Sequence, residues 1–175
     1  FLFRTLDGGL IWEKITVGIP SDDFTRVIRT DPVAPGVLYA GTESTVYVSF
    51  NRGDAWDRLQ SNLPVVPITD MDVKNDELVV STNGRSFWIL DGLPLLRQMK
   101  ALPESPAALL KPGTTSRITP SMGLILPPYS GKNYETGSLK LSTFVDGKNA
   151  TGEPMRQFLD AGSNPPDGVV VLYHL

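Results

Sequence analysis

Two aspartates separated by one residue, Asp70 and Asp72, are the first candidates for chemistry in this sequence of 175 residues. They alternate with Met71 and Val73, so a strand through this segment would place both carboxylates on one face. Glycosidases need two carboxylates roughly 5–10 Å apart, one acting as an acid and the other as a base or nucleophile. Asp70 and Asp72 are therefore our catalytic candidates, although spacing alone assigns catalysis to neither of them.

Other reactive side chains are scarce. The sequence contains no cysteine, which excludes a disulfide, a thiolate metal site and a cysteine nucleophile. Its single histidine, His174, cannot by itself form a histidine-based metal centre, and it makes a serine triad improbable. We therefore expect no metal and no cofactor.

Arg85 and Trp88 are the candidates for ligand binding. Arg85 stands between Gly84 and Ser86, and its planar guanidinium would suit a carboxylate ligand. Trp88 follows Phe87 on a predicted strand, where its ring would either stack on a carbohydrate or pack in the core. Structural roles are the simpler interpretation of both: hydrogen bonding between neighbouring repeats for Arg85, and core packing for Trp88.

A short pattern, Ser/Thr-x-Asp/Asn-x-Gly-x-x-Trp, occurs twice and predicts a hairpin turn. The hydroxyl and the Asp or Asn side chain can accept hydrogen bonds from N–H groups of the turn, and glycine permits a positive φ. The indole would cover the base of the hairpin. We assign a structural role to all eight residues, which are Thr5, Asp7, Gly9 and Trp12 in the first copy and Ser49, Asn51, Gly53 and Trp56 in the second.

These turns belong to a longer internal repeat. Phe1–Trp12 aligns with Thr45–Trp56 at an offset of 44, and Leu38–Val48 aligns with Leu78–Trp88 at an offset of 40. A period of this length fits a four-stranded propeller blade and also overlaps with two-helix repeats. Short runs rich in Val, Ile, Thr, Tyr and Phe between Gly, Asn, Asp and Pro favour strands. The predicted strands are Thr25–Arg29, Val37–Gly41, Thr45–Phe50, Ile68–Val73, Glu77–Thr82 and Ser86–Leu90.

The Trp-ended pattern resembles the Asp-box, or BNR repeat, of sialidases, xyloglucanase-type glycosidases and sortilin-like receptors. Both copies depart from it, the first at Ile11 and the second at Asn51 and Ala55. A third copy has decayed after Asp91, where no Trp returns. The resemblance implies the last blades of a β-propeller in a large bacterial protein, related to those described as BNR-repeat glycosyl hydrolases or sortilin-like proteins.

The predicted fold class is all-β, and the repeated strand pattern gives way to an irregular pattern near residue 100. Residues 1–100 would form two to three terminal four-stranded propeller blades. Residues 101–175 would form a linker and an irregular β segment, because prolines cluster after Asp91 and Pro94 would open a single helical turn. Phe158–Leu175 is similar to the entry into a β-sandwich-like domain in the same family. The sequence opens on Phe1 in mid-pattern, so we expect it to be a fragment of a longer protein.

The expected function is a non-catalytic scaffold, a structural and binding portion of an exported propeller protein that presents a ring face to a glycan or peptide. The alternative is part of a sialidase-like or xyloglucanase-like glycoside hydrolase whose catalytic carboxylates lie upstream. Expected partners are the remaining blades of the parent chain. With 16 Lys and Arg against 19 Asp and Glu and no long apolar run, we expect neither nucleic-acid binding nor a membrane span. The resemblance implies an extracytoplasmic or secreted location.

Overall fold

The computed structural model describes residues 1–99, 102, 107–113, 144–158, 162 and 169–174 of the chain. Over these residues the protein is mostly β, with small antiparallel sheets and one short helix, which agrees with the predicted all-β class. Two compact units, Phe1–Leu102 and Pro103–Leu175, divide the chain. The elements are β1 (Phe3–Arg4), β2 (Glu13–Lys14), β3 (Thr25–Thr30), β4 (Leu38–Thr42), β5 (Val46–Ser49), β6 (Asp57–Arg58), β7 (Ile68–Lys74), β8 (Glu77–Thr82), β9 (Phe87–Leu90), α1 (Leu93–Met99), β10 (Ala108–Leu109), β11 (Phe144–Lys148), β12 (Pro154–Phe158) and β13 (Tyr173–His174).

A four-stranded antiparallel sheet forms the middle of the first unit. Its strands β3, β4, β5 and β6 are neighbours in chain order, and Tyr39 of β4 lies opposite both Arg29 of β3 and Val48 of β5. Every residue of β5 is buried. A strand that is covered on both faces has no solvent side. This explains why the sequence of β5 is a nearly continuous apolar run and does not alternate between apolar and polar residues.

A three-stranded antiparallel sheet, β7-β8-β9, lies beside it, with β7 close to β3 and β4. Gly41 of β4 permits this approach, because a Cβ atom at Gly41 would lie 2.6 Å from Cγ2 of Ile68 in β7. The pairing of β7 with β8 is irregular between Ile68 and Asp70. Strands β1 and β2 form a separate antiparallel pair.

The core of the first unit occupies both faces of the four-stranded sheet. The larger cluster joins this sheet to the three-stranded sheet and to α1; its buried members include Tyr39, Val46, Val48, Ile68, Met71, Leu78, Val80 and Leu93. The smaller cluster lies between the four-stranded sheet and the segment after β2, and its buried members are Ile15, Ala40, Tyr47 and Trp56. The middle sheet is therefore held from two sides.

Helix α1 begins at Leu93, one residue before the predicted start at Pro94. The carbonyl of Gly92 accepts hydrogen bonds from the N–H groups of Leu95 and Leu96, so Gly92 is the residue at the helix N-cap, and its φ of 82° suits glycine. With seven residues, α1 is far shorter than a bilayer-spanning helix, and the described part of the chain contains no helix that could cross a membrane.

The second unit contains two small antiparallel pairs, β10 with β13 and β11 with β12. Of the segment Phe158–Leu175, for which the resemblance implies the entry into a β-sandwich-like domain, the structure describes residues 158, 162 and 169–174, and the rest of the segment lies outside the described residues. Phe158 ends β12, and Tyr173–His174 form β13. The turn between β11 and β12 is closed by Asn149, whose side-chain oxygen accepts hydrogen bonds from the N–H groups of Thr151 (3.0 Å) and Glu153 (2.8 Å).

Candidate functional site

The first Trp-ended turn, between β1 and β2, is held by its own polar side chains. The Thr5 hydroxyl oxygen accepts a 2.8 Å hydrogen bond from the N–H of Gly9. Asp7 Oδ1 accepts 3.0 Å bonds from the N–H groups of Leu10 and Ile11. Hydrogen bonds from the Ile11 N–H and the Thr5 hydroxyl hold the pKa of the Asp7 carboxyl below its ordinary value. This carboxylate is therefore engaged in stabilising its own turn.

The second turn, between β5 and β6, repeats the arrangement with different residue types. The Ser49 hydroxyl oxygen accepts a 2.8 Å bond from the N–H of Gly53. Asn51 Oδ1 accepts a 2.9 Å bond from the N–H of Ala55, so the amide serves in place of the carboxylate. Both glycines have a positive φ, 100° at Gly9 and 96° at Gly53.

The repeat extends beyond the two turns. The bond from the Ile15 N–H to the Leu2 carbonyl, 2.9 Å, recurs 44 residues later as a 2.8 Å bond from the Leu59 N–H to the Val46 carbonyl. The turn after each outer strand also recurs, because the N–H of Ile19 bonds to Thr16 as that of Leu63 bonds to Gln60. Equal sequence spacing thus corresponds to equal backbone geometry.

Trp56 joins the two copies. Its indole Nε1 donates a 2.8 Å hydrogen bond to the carbonyl oxygen of Ile15, and its backbone N–H donates one of 2.8 Å to Val17. The ring is 3% exposed. Trp12 behaves differently, since it is 59% exposed and its indole donates a 3.1 Å hydrogen bond to the carbonyl of Gly9 in the same turn.

Asp70 and Asp72 both lie on the exposed face of β7, while Met71 between them is buried. Asp70 forms an ion pair with Arg29 of β3 and accepts a 2.8 Å bond from the N–H of Met71. Asp72 accepts a 2.9 Å bond from the N–H of Val73. The two carboxylates therefore share a face, and one of them links the neighbouring sheets.

Arg85 lies in the turn between β8 and β9, exposed at its surface. Its carbonyl oxygen accepts a 2.9 Å hydrogen bond from Nε1 of Trp88, so the two binding candidates are joined to each other. The Trp88 ring is partly buried against the larger core cluster. It also lines an apolar cleft together with residues of β5, β8 and β9 and the segment 59–63.

Loops at one end of the two sheets are joined through Asp23. Its Oδ2 accepts hydrogen bonds from the hydroxyls of Ser44 (2.6 Å), Thr42 (2.9 Å) and Tyr47 (3.4 Å). We call this the loop end; it comprises residues 20–24, 42–45, 65–67 and 83–87, the last of which is the first residue of β9. Backbone bonds connect its loops in series, from Glu43 to Phe24, from Val66 to Ser44 and from Asn83 to Pro67.

The opposite end holds a buried ion pair that sequence reasoning missed. Arg97 Nε of α1 lies 2.9 Å from Oδ2 of Asp31, whose side chain is fully buried, and Arg97 also pairs with Asp76. The Tyr39 hydroxyl donates a 2.8 Å bond to the same Asp31 oxygen. The Asp31-Pro32 dipeptide signals a turn, but 66 residues separate Asp31 from Arg97 and no local pattern joins them.

Burial alone would raise the pKa of the Asp31 carboxyl. Hydrogen bonds from Arg97, the Ala34 N–H, the Tyr39 hydroxyl and the Val33 N–H outweigh it and lower the pKa below its ordinary value. The pKa of the Tyr39 phenol shifts the opposite way: burial and the hydrogen bond to the Asp31 carboxylate both raise it. Asp31 is thus held ionised in the folded protein.

Among the described residues, no group of three or more His, Asp or Glu side chains is arranged to hold a metal ion. His174 lies on β13, exposed. Comparisons of the chain with protein-family models, with curated proteins and with solved structures found no match.

Proposed function

We propose that this chain is a non-catalytic structural and binding segment of a repeat protein built as a β-propeller. The observation that carries the proposal is the hydrogen bond from the Trp56 indole to the carbonyl of Ile15, which joins one repeat to the one before it. The four-stranded sheet of β3 to β6 would be one complete blade. Strands β7 to β9 would supply three strands of the next, and β1 with β2 the outer pair of the preceding one.

The use of the polar turn residues supports a structural role. Thr5, Asp7, Ser49 and Asn51 all accept hydrogen bonds from N–H groups of their own turns. Side chains committed in this way stabilise hairpins, and they lie at the end of the sheets away from the loop end. The resemblance to exported BNR-repeat proteins supports an extracytoplasmic location.

The loop end is our proposed ligand face. It exposes Phe24, Val65 and Phe87, with 55%, 71% and 72% of their surfaces accessible. The Arg26 guanidinium lies 5.2 Å from the centre of the Phe24 ring. Exposed rings beside fixed polar groups suit the apolar faces and hydroxyls of a sugar as well as peptide side chains.

Glycoside hydrolysis by a parent protein is the second candidate, favoured by one observation. Asp70 and Asp72 share an exposed strand face, and glycosidases need two carboxylates close to each other. The Arg29 ion pair at Asp70 gives that carboxylate a structural partner, which favours the non-catalytic role for this chain.

Turnover and binding assays on the purified chain test the proposal. We expect no product from a fluorogenic sialoside or from xyloglucan. Turnover that is lost in Asp70→Asn or Asp72→Asn would overturn the non-catalytic assignment. In titrations with sialyllactose and a xyloglucan oligosaccharide, Phe87→Ala should weaken binding, while Val33→Ala at the opposite end should leave it unchanged. Equal binding by both variants would exclude the loop end as the glycan-binding face.

A further inference from the structure

The two Trp-ended turns share the hydrogen bonds from the glycine N–H to the hydroxyl and from the residue before Trp to the Asp or Asn side chain, but their surroundings differ. Trp56 is buried and bonds across to the preceding repeat, whereas Trp12 is exposed and bonds within its own turn. The glycines follow the same division. A Cβ atom at Gly53 would lie 2.6 Å from Cδ1 of Ile15, while for one at Gly9 the nearest atom among the described residues would be in the Trp12 ring, at 4.0 Å.

The cover over the second turn is a specific piece of chain. Residues Ile15–Gly18, which we call the exit segment, leave β2 and run along Trp56. Two hydrogen bonds attach the segment to Trp56, at Ile15 and at Val17. Gly18 permits the closest approach, because a Cβ atom there would lie 2.1 Å from the Trp56 carbonyl oxygen.

Strand β1 shows the same contrast between the copies. Phe3 occupies the position of Tyr47 at the offset of 44, yet Phe3 is 54% exposed and Tyr47 is 4% exposed. Tyr47 is buried in the cluster that contains Ile15, Ala40 and Trp56. Phe3, Gly9 and Trp12 are therefore the exposed counterparts of Tyr47, Gly53 and Trp56, which are buried. We call these three exposed residues the Trp12 face.

We propose that the Trp12 face binds the exit segment of a further repeat, located before this one in the same polypeptide. The occupant is an apolar segment of the Ile15–Gly18 kind, which leaves a strand and enters a turn, with a carbonyl that accepts a hydrogen bond from the Trp12 indole. The proposal rests on the proposed repeat architecture and names the partner of one of its surfaces. The covered interface at Trp56 supplies the geometry.

A duplicated chain tests the proposal. A copy of residues 1–44 is joined ahead of the full chain, so that the junction keeps the spacing of 44 and Ser44 of the copy precedes Phe1 as Ser44 precedes Thr45. Tryptophan 12 of the copy is changed to Phe. The protein is labelled with 5-fluorotryptophan, and single Trp→Phe variants assign the ¹⁹F resonances of Trp12, Trp56 and Trp88.

We expect the ¹⁹F resonance of Trp12 to lose its H₂O/D₂O solvent shift in the duplicated chain and to keep it in the original chain. Ile15→Asp in the added copy should restore the solvent shift by removing the apolar cover. Val33→Asp in the added copy is the matched control, because Val33 is exposed, and it should leave Trp12 protected.

Three results would overturn the proposal. If Trp12 stays solvent-shifted while Trp56 stays protected, the further repeat does not cover the face, although the proposed function survives. If Trp56 is also solvent-shifted in the original chain, both fail together. If Trp12 of the original chain becomes protected with rising concentration and sedimentation detects a dimer, the occupant is a second copy instead.

Discussion

The indole nitrogen of Trp56 donates a 2.8 Å hydrogen bond to the carbonyl oxygen of Ile15, 41 residues earlier in the chain. A buried indole N–H without a partner would cost free energy, so this bond fixes the ring against one particular carbonyl. The tryptophan therefore contributes buried apolar area and also specifies the position of the preceding repeat. Packing between repeats is encoded at this pair of residues.

Replacing Trp56 with Ala should strongly destabilise the first unit. The substitution removes a ring that is 3% exposed and leaves a cavity beside Ile15, so we expect a loss of roughly 3–5 kcal/mol in the free energy of unfolding. Urea denaturation monitored by circular dichroism measures it. Trp12→Ala is the matched control and should cost much less, because Trp12 is 59% exposed. Equal losses in the two variants would contradict the structural difference between the copies.

Gly53→Ala should cost more than Gly9→Ala, although both positions have a positive φ. The backbone strain of alanine is shared by the two sites, since φ is 96° and 100°. Only at Gly53 would the new methyl meet Ile15, at 2.6 Å. We expect an additional loss of about 1–3 kcal/mol at Gly53 from overpacking. Thermal unfolding of the two variants side by side measures the difference, and a larger loss in Gly9→Ala would rule out this packing.

The sequence predicts six of the nine strands that the structure describes in the first unit, because their signals are local, and the two-residue strands β1, β2 and β6 are not among those predicted. Apolar alternation and turn residues mark β7 and β8 within one residue of their ends, and the turn between β4 and β5 follows from Gly41–Ser44. The Asp and Asn side chains of the two Trp-ended turns likewise act within five residues of themselves. Hydrogen bonds that stay within one turn can be predicted from the sequence of that turn alone.

Contacts between residues that are far apart in the chain could not be predicted from the sequence. Trp12 and Trp56 are identical in type and in turn, and only the neighbouring chain decides which of them is buried. No sequence pattern indicated the ion pair of Arg97, because its partner Asp31 lies 66 residues away, in the turn between β3 and β4. The ring arrangement and the loop-end ligand also stay predictions, since they depend on contacts beyond those of the described residues.

Replacing Arg97 with Met should destabilise the first unit more than any exposed ion pair could. The Asp31 side chain is fully buried and that of Arg97 is 11% exposed, so removal of the guanidinium leaves a buried carboxylate without its counter-charge. We expect a loss of about 3–5 kcal/mol. Arg29→Met removes the exposed pair with Asp70 and should cost less than about 1 kcal/mol. Urea midpoints at neutral pH compare the two, and a similar loss in both would argue against a buried pair.

Asp31 should make the stability of the first unit fall in acid. Its folded-state pKa is lowered below the ordinary value of 3.8, net of the opposing effect of burial, by hydrogen bonds from Arg97 and neighbouring groups. A lowered carboxyl pKa contributes stability that is fully present above the unfolded-state pKa and is lost as the pH falls through the folded-state pKa. The wild-type chain should therefore lose stability steadily below about pH 4.

Asp31→Asn removes this titrating group while keeping an oxygen that can accept the bonds from Val33 and Ala34. The variant should be less stable than wild type at pH 7, and the difference between them should shrink as the pH falls below about 4, because wild type alone loses the Asp31 contribution. Urea midpoints at pH 7, 4 and 3 measure the difference. A difference that stays constant over this range would show that the Asp31 carboxyl has the same pKa in the folded and unfolded chains, against the buried Arg97 contact.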